Sequence, residues 1–211
     1  MNRMTAGLVG TSLFFGITYP MIWGLAWPAF ALTLWKGAGV GFLALAAMNA
    51  ARDTDGLLLA IVLACGAVGD VLLVESLVRG AIAFAIGHGF AIWLYLRNRR
   101  AVLTASQKAL AMLVVPLSAW IAWPLPADRA MAASVAFYTV TVAAMAACAW
   151  ISRFPRYWTG IGAMLFLVSD LLIFARMGAL AGVAWVSFAV WAFYYAGQFL
   201  ICMGVLRTLR K

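Results

Sequence analysis

Apolar runs of about twenty residues, long enough for a helix to cross a bilayer, follow one another along this chain with only short polar breaks. No other feature constrains the fold as strongly. In lipid the backbone must satisfy its own hydrogen bonds, which leaves helices or a closed barrel. Continuous apolar runs, without strict alternation, select helices. The runs place eight helices at 5–24, 28–48, 57–75, 79–97, 108–125, 130–151, 158–177 and 183–206. The breaks have local causes. Trp27-Pro28, Arg52-Asp53-Thr54-Asp55-Gly56, Pro124-Leu125-Pro126 and Arg153-Phe154-Pro155 are turn chemistry. The breaks at 75–79 and 177–182 carry weaker signals.

Composition agrees. Of 211 residues, 67% are hydrophobic and 10% charged, where a soluble domain carries about 25% charged residues. The expected fold is an all-α integral membrane protein, a bundle of about eight transmembrane helices, with residues 1–211 forming a single polytopic domain. The first run lacks a small-x-small cleavage site, so it reads as a retained helix and not as a signal peptide. Cys65, Cys148 and Cys202 sit within apolar runs without metal-ligand spacing and read as small packing residues.

The formal net charge of +9 does not indicate nucleic acid, because the cations form no face. They punctuate the runs. With the N-terminus inside, the inner segments hold Arg3, Arg52, Arg97, Arg99, Arg100, Lys108, Arg153, Arg156, Arg207, Arg210 and Lys211. The outer turns hold Arg79, Arg129 and Arg176. This positive-inside bias puts both termini on the cytoplasmic side, in the inner (plasma) membrane if the source is bacterial. Trp23, Trp27, Trp123 and Trp158 lie near span ends as interfacial anchors. Gly37-x-x-x-Gly41, Gly66-x-x-Gly69 and the Gly160/Gly162 pair supply small surfaces for close helix packing.

Four ionisable residues interrupt the spans: Lys36, Asp70, His88 and Asp170. A charge at mid-membrane costs about 2.5–3.5 kcal/mol on insertion scales, so each needs a reason. At 1.5 Å per residue, all four fall roughly 8–14 Å below the outer face. Tyr138 falls at a similar depth, and Tyr194, Tyr195 and Gln198 somewhat deeper. Polar groups at one level on six helices are expected to converge inside the bundle. Gly69-Asp70-Val71-Leu72-Leu73 also resembles Ser169-Asp170-Leu171-Leu172-Ile173 four spans later, a pattern that fits a parallel four-plus-four internal repeat.

These residues also carry a resemblance. Lys36, "GDVLL" at 69–73, "GAIAFAIGH" at 80–88, Tyr138 in "FYTVTVAAM", "LFLVSDLLI" at 165–173 and "YYAGQFLI" at 194–201 occur in the order found in the YhhN family of membrane proteins, which includes the lysoplasmalogenases. The likeness runs from about 30 to 206. Two departures stand out: Gly37 follows Lys36 where the family often has proline, and the connection between the third and fourth spans is short. The resemblance implies an eight-helix enzyme that hydrolyses the vinyl ether of a lysophospholipid, releasing a fatty aldehyde and a glycerophospho-head-group.

The residues suit that chemistry. Vinyl ether hydrolysis starts with proton transfer to carbon, passes an oxocarbenium ion, and ends with water addition and collapse of a hemiacetal. Two carboxyl groups in a dry site divide such roles, one holding the proton and one stabilising the cation. Asp70 and Asp170 are the candidates, in either order, and His88 is the candidate to orient water or act as base. Lys36 is placed to hold one aspartate ionised or to bind the lipid phosphate. Tyr138, Ser169, Tyr194, Tyr195 and Gln198 are candidate donors to head group or water. A single histidine and no cysteine cluster argue against a zinc site and no cofactor is expected, though two aspartates with a histidine stay open as a ligand set. No nucleophile-elbow serine and no phosphate-cradling glycine loop is found. Two other readings use the same residues: a proton-coupled carrier, and a non-catalytic protein whose charges are structural.

Overall fold

The computed structural model describes residues 2–209, so Arg210 and Lys211 of the inner cation count lie outside the described residues. Eight helices form: α1 (Arg3–Thr18), α2 (Ala29–Ala50), α3 (Thr54–Glu75), α4 (Leu77–Arg97), α5 (Ala105–Ala122), α6 (Ala132–Ile151), α7 (Ile161–Ala175) and α8 (Ala184–Leu209). Short 3-10 turns, Tyr19–Ile22 and Arg129–Met131, prolong α1 and precede α6, and a wide π-type turn, Arg156–Gly160, leads into α7. With these extensions all eight are long and apolar enough to cross a membrane. No strand forms among the described residues.

Side-chain caps fix the starts of α1, α3 and α5. Asn2 accepts from the Thr5 amide at 2.7 Å, and Asp53 from the Gly56 amide at 2.8 Å. Thr104 and Gln107 form a reciprocal capping box at the head of α5. α3 stops at Ser76, one extended residue whose N–H still bonds Leu72 O, and α4 begins immediately after it. The short α3–α4 connection expected from the sequence is therefore a single residue. Pro116 lies within α5, and α2 continues through Gly37.

The chain divides into two compact units, one holding the residues up to Leu94 and from Val205 onward, the other Tyr95–Gly204. In the first, α1 packs on α2 through aromatic and hydroxyl contacts. Phe15 stacks on Phe42 at 5.5 Å, Trp35 meets Phe15 edge-on at 4.7 Å, and Ser12 Oγ donates to Gly39 O at 2.5 Å. α3 and α4 close on each other at glycine. A Cβ on Gly69 would come within 2.8–2.9 Å of the Phe84 ring.

In the second unit, α7 and α8 cross backbone to backbone. A Cβ on Gly162 would meet Gly197 O at 2.7 Å, and one on Gly197 would meet Gly162 O at 2.7 Å. Without side chains between them the axes come together, as at small-residue crossings in membranes. The connecting loops are also tied. Arg99 and Ser152 form an antiparallel bridge at one end of this unit, and Pro126 and Gly178 form another between the α5–α6 and α7–α8 connections.

Candidate functional site

The first unit builds its polar centre on α2, α3 and α4. Asp70 is only 1% exposed, so it does not face lipid or water. Lys36 on α2 reaches it: Nζ lies 3.4 Å from Asp70 Oδ1 and donates to Asp70 O at 3.3 Å. The ammonium is thus held on one turn of α3 by a carboxylate and a carbonyl together. Gly69, next to Asp70, is where Phe84 of α4 packs, and this seats α4 against the turn that carries the carboxylate. His88 is 4% exposed and follows Phe84 by one helical turn, so the two share a face of α4. Of the two aspartates, Asp70 is the one that Lys36 pairs with.

Tyr19 was not among the expected site residues. Its phenol lies within electrostatic reach of Asp70, and its ring meets Trp23 edge-on at 5.6 Å. A tyrosine at the end of the first apolar run looks in sequence like an interfacial aromatic, and only the 3-10 turn after α1 brings it near α3.

The second unit holds the other carboxyl. Asp170 is 5% exposed, and Tyr138 Oη donates to Asp170 Oδ2 at 2.8 Å. Phe174, one turn on, meets the Tyr138 ring edge-on at 5.7 Å and fixes the phenol's direction. Ser169 Oγ donates to Val190 O at 2.9 Å, so its hydroxyl ties α7 to α8. Tyr194, Tyr195 and Gln198 are all buried on α8. Phe166 meets Tyr194 edge-on at 5.2 Å, and Trp191 stacks on Tyr195 at 5.9 Å. Gln198 Oε1 is buried with no hydrogen-bond partner among the described residues.

The residues near predicted span ends behave differently. Glu75 and Arg79 pair at 3.6 Å, but both are about two-thirds exposed (66% and 68%), and such a pair contributes little. Arg176 donates to Ser187 Oγ at 3.0 Å. Trp23, Trp27 and Trp123 are exposed, while Trp158 is half-buried and packs its Cβ toward Gly204.

Each unit therefore buries one aspartate and gives it a donor from the preceding helix: an ammonium in the first, a phenol in the second. Comparison with known proteins adds the lineage. Over 108 residues the chain is 32% identical to a protein named lysoplasmalogenase from Mycobacterium bovis, and equally to one of the same name from Mycobacterium tuberculosis. That stretch covers 51% of this chain and 39% of each relative, so the likeness spans less than half the length of these proteins. No solved structure matches the chain. The YhhN family model matches residues 31–205, a stretch that contains every buried ionisable residue described above, and the chain belongs to the YhhN family.

Proposed function

We propose that this protein is a multi-pass membrane hydrolase that cleaves the vinyl ether bond of lysoplasmalogen-type lysophospholipids, yielding a fatty aldehyde and a glycerophospho-head-group. The observation that carries the reading is the pair of buried aspartates, each with its own donor and the two donors unlike in charge. The name of the mycobacterial relatives supports the substrate class. The eight long apolar helices support a membrane site, with both termini cytoplasmic by the cation bias.

The partners suggest a division of roles. The donor to Asp170 is an uncharged phenol, where Asp70 has an ammonium, so Asp170 is the carboxyl assigned the proton, the acid that protonates the vinyl carbon. Asp70, beside an ammonium, is the carboxylate that stabilises the oxocarbenium ion. His88 orients the water that adds to it, Asp170 takes back the proton that the water loses, and the hemiacetal then collapses to aldehyde and alcohol. Tyr194, Tyr195 and Gln198 supply contacts for the head group or the water.

The chain also reads as one polytopic domain made from two related halves. In each unit the aspartate on the third helix takes a donor from the second, Lys36 for Asp70 and Tyr138 for Asp170. This supports a parallel duplication whose two sites diverged in charge.

The test is aldehyde release from a lysoplasmalogen by the purified protein, beside Asp70→Asn and Asp170→Asn variants that remain folded. Aldehyde from the wild type and at least a hundredfold less from either variant is expected, about 2.7 kcal/mol of barrier. Equal turnover by all three proteins refutes the mechanism. A folded wild type that releases no aldehyde turns the reading toward a carrier.

A further inference from the structure

The inner end of the second unit is more ordered than a topology signal requires. Two loops meet there, the one from α4 to α5 and the one from α6 to the turn before α7. They are zipped by backbone: Arg100 N–H donates to Ile151 O at 3.1 Å, Arg153 N–H to Asn98 O at 2.7 Å, and Arg99 bridges Ser152. Side chains reinforce the zip. Arg100 Nε donates to Ser152 O at 2.7 Å and Nη2 to Phe154 O at 3.3 Å, while Arg153 Nε donates to Asn98 Oδ1 at 2.6 Å. Asn98 and Ser152 are buried, so the junction is a built floor and not two loose strands.

This floor gathers Arg99, Arg100, Arg153 and Arg156. The acids between Tyr95 and Gly204 are Asp128 and Asp170. Asp128 caps the turn before α6, at the far end of the unit, and Asp170 lies within α7. Helix electrostatics do not account for the cluster either. Arg156 opens the turn into α7, the end of a helix where a cation is disfavoured. Arg100 is committed to carbonyls of the opposite loop, whereas Arg99 is exposed and Arg156 half-buried. Tyr157, 76% exposed, stands beside Arg156, and Val102, 85% exposed, lies just past Arg100 and Ala101. An aromatic and an aliphatic side chain flanking a cluster of guanidinium groups suit the boundary between head groups and acyl chains.

We propose that these bridged loops form a binding site for the head group of an anionic phospholipid, with Arg99 and Arg156 contacting its phosphate and Arg100, Arg153 and Asn98 holding the floor. The site is separate from the aspartate centres and depends on the membrane reading above, though not on the hydrolase reading. A basic pocket between helix ends on the cytoplasmic face is a recurrent way to hold such lipids.

The experiment measures binding of phosphatidylglycerol and of phosphatidylethanolamine to the detergent-purified full chain by native mass spectrometry. Tight retention of phosphatidylglycerol over phosphatidylethanolamine is expected. Arg99→Gln/Arg156→Gln should weaken phosphatidylglycerol binding about 30-fold, at roughly fivefold per surface cation. Arg3→Gln/Arg52→Gln, which removes the same charge outside the bridged loops, should leave it within about twofold. Unchanged binding in the first variant, or an equal loss in both, overturns the site in favour of diffuse attraction. Flotation of the wild type with vesicles of phosphatidylcholine alone tests insertion independently. Failure there sinks the membrane reading, whereas failure of the lipid preference with normal flotation sinks only this site.

Discussion

Replacing Lys36 by methionine is the most informative single perturbation. Asp70 is 1% exposed, and the Lys36 ammonium lies 3.4 Å from its carboxylate. Removing one partner of a buried pair strands the other, at a cost of about 3–5 kcal/mol. The separation here exceeds the 2.7–2.9 Å of a strong charge-assisted bond, which places the expectation at the low end, about 3 kcal/mol. Loss of the bond to Asp70 O adds about 1 kcal/mol at most. For a chain of this size each kcal/mol moves the melting midpoint by about 2–4 °C, so a loss of about 3–4 kcal/mol should lower it by about 6–16 °C. Lys36→Met/Asp70→Asn removes both charges and should regain about 2 kcal/mol of the loss as a coupling term. Thermal unfolding in detergent, followed by tryptophan fluorescence, reads all four corners of the cycle. A Lys36→Met protein melting within 2 °C of the wild type, or a double variant no more stable than Lys36→Met, would show that the pair is not what keeps Asp70 buried.

Two further changes probe the second unit. Tyr138→Phe deletes the 2.8 Å bond to Asp170; it should lower stability by about 1–3 kcal/mol and slow aldehyde release about 10- to 100-fold, and wild-type turnover would remove Tyr138 from the acid's environment. Gly162→Ala sets a Cβ 2.7 Å from Gly197 O and should cost about 1–3 kcal/mol by the same melting assay. Gly7→Ala, with nothing within 4 Å, should cost nothing, and equal losses in the two would deny a close crossing.

Much of the architecture could be read from residue order because two signals agree, apolar length and turn chemistry. Where helix ends differ from expectation, short polar stretches decide them. α5 starts at Ala105 rather than 108 because the Thr104/Gln107 box nucleates it within polar residues. α3 starts at Thr54 rather than 57 because Asp53 caps it. The regular helix of α7 starts at Ile161 rather than 158 because Pro155 and the wide turn precede it. The buried aspartates were visible because a carboxyl in an apolar run has no cheap place to go. Their partners were not, since choosing Lys36 for Asp70 and Tyr138 for Asp170 depends on helix rotation, which residue order alone does not define. The loop arginines were visible only as a count. That Arg100 and Arg153 stitch two loops together depends on carbonyls presented by a chain segment fifty residues away.

The α7–α8 crossing has a consequence for how this protein tolerates change. An oversized side chain in an ordinary core can be rescued by shrinking its neighbour. At Gly162 the nearest neighbour is Gly197 O, with Leu200 Cβ and Ile201 N next, and at Gly197 it is Gly162 O, with Phe166 N next. Backbone atoms are common to all residues, so no second substitution makes room for a first. The two glycines must therefore be inherited together, and a lineage that loses one can regain function only by reversion or by moving a whole helix.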